Sequence, residues 1–141
     1  MIGQTASAGF QIGVRRTFPL TQQEAWDLLL TPEGLALWLG ELRSLELEKG
    51  HKYCTSEGTC GELRVVKPLH QLRLTWQPEN WSSPSTLQIR VIPNPKRADA
   101  TTISFHQEKL ENSVMRERMK ERWEDVSAQL LEVAQSIQAK R

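Results

Sequence analysis

The chain has 141 residues, with eighteen Lys or Arg against seventeen Asp or Glu and a formal charge of +1, so no global field draws it to nucleic acid or to an anionic membrane. At this length folding removes roughly two-thirds of the unfolded surface from water, so a core needs no disulfide or metal staple. No apolar run approaches the roughly 18 residues of a membrane-crossing helix, and residues 1–9 carry neither a basic nor an apolar leader region, so a cytoplasmic protein with reduced thiols and no membrane insertion is expected.

In chain order, residues 1–8 read as an N-terminal tail and residues 9–138 as one domain. Phe10, Ile12 and Val14 alternate with Gln11, Gly13 and Arg15, the period of a half-buried strand. Thr21-Gln22-Gln23-Glu24 matches the capping box, in which hydroxyl and carboxylate each satisfy an open backbone N–H at a helix start. Ala25, Trp26, Leu29 and Leu30 give that helix its apolar face. Thr31-Pro32-Glu33 predicts a second start, with Pro32 at the first helical position, where a missing N–H costs nothing.

From Ser44 to about Gln107 the period is two. Strands are predicted around Leu45 and Leu47, over His51–Thr55, around Leu63 and Val65, over Leu72–Trp76, around Leu87, Ile89 and Val91, and over Thr101–Gln107. Ser56-Glu57-Gly58 reads as a tight hairpin turn, with Gly58 suited to positive φ. The links are short, so the sheet should be antiparallel. From Asn112 to about Lys140 the apolar positions Met115, Met119, Val126, Leu130, Val133 and Ile137 recur at three- and four-residue steps, predicting a long amphipathic helix with Trp123 widening its stripe. A one-faced sheet and a one-striped helix must bury each other. The fold class expected is α+β, about seven strands curved around that helix.

Few constellations carry chemistry. His51, Cys54, Cys60 and His70 are the candidate metal ligands, but in a strand residues three apart point to opposite faces. No C-x-x-C or H-x-x-x-H spacing is present, so no metal is expected. Cys54 and Cys60 flank the hairpin turn, where a disulfide is geometrically open, and two unpaired thiols are expected from the compartment. Three His, two Cys and scattered carboxylates form no recognisable triad, nucleophile elbow or phosphate loop, so no catalytic residues and no cofactor are assigned. The alternating charges of Arg116-Glu117-Arg118 and Lys120-Glu121-Arg122 fit a solvated helix shoulder. Trp81 lies in a polar loop, as a lid, a partner contact or a ring tucked against its own sheet.

Four stretches taken together resemble the SRPBCC (START/birch-pollen-allergen-like) superfamily, and within it the branch similar to the C-terminal domain of the activator of Hsp90 ATPase. They are Ala25–Trp38, Gly58–Val66, Pro68–Trp76 and Trp123–Leu131. Arg122 stands where that branch commonly has Gly before the helix Trp, and Lys49-Gly50-His51 where it often has a Gly pair. The resemblance implies a helix-grip fold, with two short helices after the first strand. It also implies a cavity between sheet and C-terminal helix for a small apolar or aromatic molecule, and no common catalytic triad. Its expected walls are Val14, Leu47, Tyr53, Leu63, Val65, Leu74, Trp76, Ile89, Phe105, Met115, Met119 and Trp123. The leading functional expectation is a non-catalytic binding domain using that cavity. A chaperone cofactor similar to the Hsp90 activator is the alternative, and a cyclase- or aromatase-type cavity enzyme the second alternative.

Overall fold

The computed structural model describes residues 4–5 and 9–140. A two-residue strand β1 (Gln4–Thr5) pairs with β2 (Gly9–Phe18), and helices α1 (Gln22–Leu30) and α2 (Pro32–Trp38) follow. Strands β3 (Lys52–Cys54), β4 (Cys60–Lys67), β5 (Gln71–Trp76), β6 (Ser85–Pro93) and β7 (Thr101–Leu110) then lead to the closing helix α3 (Ser113–Ala139). The sheet is antiparallel throughout, in the order β1-β2-β7-β6-β5-β4-β3. Apart from the two-residue β1, six strands make the curved sheet that holds α3. Of the expected tail, only Gln4 and Thr5 are described, and they pair with Phe10 and Gly9; the rest of residues 1–8, where the tail was expected, lies outside the described residues.

The helix starts follow the caps read from sequence. The Glu24 amide donates to Thr21 Oγ1 at 3.1 Å, and the Thr21 amide donates to Glu24 Oε1 at 2.9 Å, closing the capping box. Thr31 ends α1 and opens α2, accepting from the Gly34 amide at 3.0 Å with Pro32 in the first turn. Asn112 caps α3, its Oδ1 accepting from the Met115 amide at 2.9 Å.

Three expectations are corrected. No strand forms at Leu45–Leu47: the Glu48 amide turns back to the Glu46 carbonyl at 2.9 Å and the His51 amide to the Glu48 carbonyl at 3.0 Å. Both leucines still pack on the core, so their alternation recorded burial and not pairing. Secondly, the β4–β5 register shifts between Leu63 and Val65. Val65 stands opposite Arg73 on the outer face, and Val66, opposite Leu72, turns inward, because a bulge flips the alternation beyond it. Thirdly, Cys54 and Cys60 form a disulfide. They are directly opposed in the β3–β4 ladder with Cα atoms 4.2 Å apart, the spacing of a close, non-hydrogen-bonded pair. The expectation of free thiols came from compartment and not from this geometry.

The core lies between the inner face of the sheet and the two helical layers. Leu63, Leu74 and Leu87 form one row across β4, β5 and β6, and Leu72, Ile89, Phe105 and Val14 the next across β5, β6, β7 and β2. Helix α3 lays Trp123, Val126, Leu130 and Ala134 onto this surface, and α1 and α2 add Leu29, Leu35 and Trp38, all buried. Since Thr21 holds an open amide at the start of α1, Thr21→Ala should lower stability by about 1 kcal/mol, read as a lower urea midpoint with unchanged slope.

Candidate functional site

The expected cavity wall resolves into three groups. Leu63, Leu74, Trp76, Ile89, Phe105 and Trp123 are buried in mutual packing under α3. The Trp123 ring stacks on Phe105 at 4.9 Å with planes 8° apart, and lies 6.1 Å from Trp76. Val14, Leu47 and Met119 are half-buried and pack on the margin of the core, with Met115 half-buried one turn before Met119. Tyr53 is buried in the same core, and Val65 lies apart from it. The buried Tyr53 hydroxyl donates to the Thr75 carbonyl at 2.6 Å, and Val65 is on the outer face. Tyr53 reaches Thr75 only because Gly61 lacks a side chain, since a Cβ there would collide with that carbonyl and with the phenol oxygen.

Polar groups inside this region were not singled out by the sequence. Gln107 is fully buried; its Nε2 donates to Ser85 Oγ at 2.8 Å and its Oε1 accepts from Trp123 Nε1 at 2.9 Å. Ser85 Oγ donates in turn to the Trp76 carbonyl at 2.7 Å. The signal was present: two steps beyond Ile103 and Phe105, the strand period puts Gln107 on the inner face. Burial pushes the Tyr53 phenol up, far above neutral pH, so it is a hydrogen-bond donor and no base.

Arg122 is the other residue the sequence misplaced. Its guanidinium carbon lies 5.0 Å from the Trp76 ring centre and 5.1 Å from that of Trp123, and one terminal nitrogen donates to the Trp38 carbonyl at 3.0 Å. The solvated helix shoulder therefore folds inward at this position. A recess of about 170 Å³ opens beside it, lined by Leu37, Leu39, Gly40, Glu57 and Thr59 among others. Across the recess, the exposed Glu57 carboxylate accepts the Glu41 amide at 2.9 and 3.3 Å, which holds its pKa below the usual value.

A wider cleft, about 570 Å³, runs between α1–α2 and the last turns of α3. Leu28, Val133 and Ile137 form its floor, and Asp27, Glu33, Glu132 and Lys140 its rim. There Val133 and Ile137 are half-buried beside the buried Leu28.

His51 pairs with Glu46 at 3.3 Å and His70 lies 3.4 Å from the Gln22 amide; no cluster of three metal-ligating side chains is found among the described residues. Trp81 meets Trp76 edge-on at 5.3 Å, tucked against the end of its own sheet. Among the described residues no helix is long and apolar enough to cross a membrane.

The family model for Activator of Hsp90 ATPase homolog 1-like protein matches residues 19–135. No curated protein matches the sequence. Among solved structures, DynU16, a protein in the dynemicin biosynthetic locus, superposes with a TM-score of 0.71 at 19% identity over 86% of this chain; the match spans only 46% of that chain. CalU16 from Micromonospora echinospora gives 0.72 at 17% identity, covering 91% of this chain and 76% of that one. An HSP90 activator from Plasmodium falciparum gives 0.68 at 19%, covering 82% and 88%. At these identities the likenesses establish the fold.

Trp123 has no exposed surface and donates its indole N–H within the core. Trp123→Ala should therefore cost about 3–5 kcal/mol, measured by chemical denaturation against the wild type.

Proposed function

The chain belongs to the family of proteins similar to the activator of Hsp90 ATPase, and from that premise we propose that residues 9–138 form a non-catalytic binding domain for a small hydrophobic or aromatic ligand. The observation that carries this reading is the cleft of about 570 Å³ with its floor of Leu28, Val133 and Ile137. That volume lies within the roughly 300–1,000 Å³ of small-molecule sites, which join apolar walls to a few orienting polar groups. The contact of Trp123 with Phe105 fills the middle of the sheet–helix interface, so the ligand belongs where α3 parts from α1 and α2. The fold supports the reading as a scaffold that leaves the site to particular side chains.

Titrating neutral apolar dyes such as Nile red into the full chain tests this. Micromolar binding is expected, weakened at least tenfold by Ile137→Glu, which puts a charge on the cleft floor. Loss of binding in Met119→Gln with none in Ile137→Glu would place the ligand at the sheet side of α3 instead. Absence of binding by every dye would overturn the small-ligand reading.

The family match favours one second reading, a chaperone cofactor that acts on Hsp90. Under it, adding the chain to purified Hsp90 should raise ATP turnover saturably. An unchanged turnover rate at excess chain retires it.

A further inference from the structure

The recess at Arg122 is separate from the apolar cleft, and its chemistry is different. An arginine offers five N–H donors and stays ionised in proteins. Here one of them is committed, to the Trp38 carbonyl, while Nε is sealed from solvent with no hydrogen-bond partner. The two indole faces stabilise the cation, but they accept no N–H in the guanidinium plane. Among the described residues no carboxylate lies within ion-pairing distance of it. Glu57 faces it across the recess and attracts it at longer range, while its carboxylate is solvated and bound to the Glu41 amide. Trp76, against the same guanidinium, keeps a second buried N–H without a partner. A largely desolvated cation with spare donors is costly unless an anion completes it.

We propose that this recess is a binding site for a small carboxylic acid, its carboxylate pairing with the Arg122 guanidinium and its short body lying against the half-buried Leu37. The planar fork of arginine matches a carboxylate two bonds at a time. At about 170 Å³ the recess is below the size of a drug-like site, so the acid is short. Gly40 at the rim has φ +144, and a Cβ there would strike Thr55, which keeps the mouth between α2 and the β3–β4 hairpin narrow.

The test follows the Arg122 Nε–H and Trp76 Nε1–H resonances of the ¹⁵N-labelled full chain, assigned with Arg122→Lys and Trp76→Phe. Acetate, propionate and benzoate are titrated against propionamide and benzamide, with sodium phosphate and chloride at matched ionic strength. At least one acid should shift both signals saturably and bind at least tenfold more tightly than its amide. Arg122→Gln should lose this preference. Glu57→Gln, which removes the like charge facing the acid, should bind it more tightly and keeps the test open where Arg122→Gln does not fold. Equal binding of acid and amide, or signals that no acid moves, would overturn the proposal. Shifts by phosphate and chloride matching those by the acids would mark an adventitious ion only, and overturn it equally. The readout is local to Arg122 and Trp76, so its result is independent of dye binding in the cleft.

Discussion

The seat of Trp123 sets the geometry of the rest. A helix on a sheet can slide and rotate at small cost when only apolar contacts hold it, because dispersion and burial have no direction. Here the indole both stacks on Phe105 and donates to Gln107, and Gln107 is itself held through Ser85 to the backbone of β5. A buried amide with both its nitrogen and its oxygen paired restricts the arrangement of its partners, since a shift strands a polar atom away from water. Two further bonds pin α3 along its length: Arg116 Nε donates to the Gln11 carbonyl at 2.9 Å, and Arg122 donates to that of Trp38. The helix is thereby tied to β2 at its start and to α2 near its middle. Where those ties end, toward Val133 and Ile137, the helices part and the cleft begins.

Much of this architecture was legible because it rests on local rules. The capping box at Thr21, the double start at Thr31-Pro32, the three- and four-residue steps of α3 and the alternation of β5 each report on a few neighbouring residues. What escaped depends on partners far along the chain. Leu45 and Leu47 alternate like a strand but have no pairing edge, and one bulge beside Leu63 exchanges the roles of Val65 and Val66. The disulfide required knowing that Cys54 and Cys60 are directly opposed. Arg122 belonged to a run of alternating charges, and only the fold brings two indoles and the end of α2 to it. The cleft is a property of diverging helices, which no single segment encodes.

The two candidate sites divide the binding chemistry in a way the family and fold do not dictate. The cleft presents an apolar floor with carboxylates at its edge, and the Arg122 recess presents a cation among mostly polar walls. Solved structures at under 20% identity share this arrangement, which carries the scaffold alone and leaves function to the particular side chains of a site.

Thr31 has a mechanical consequence for the cleft. Its amide closes α1 on the Asp27 and Leu28 carbonyls, its hydroxyl donates to Leu28 and accepts from Gly34, and its carbonyl receives the Leu35 amide. With no spacer between the helices, the elbow is so close that a Cβ on Gly34 would collide with the Leu28 carbonyl. Fraying either helix at this junction breaks bonds of the other, so α1 and α2 should exchange their amide protons as one cooperative unit. One wall of the cleft is thus a bracket braced at Thr31, and the opposite wall is the last turns of α3, beyond the Arg122 tie.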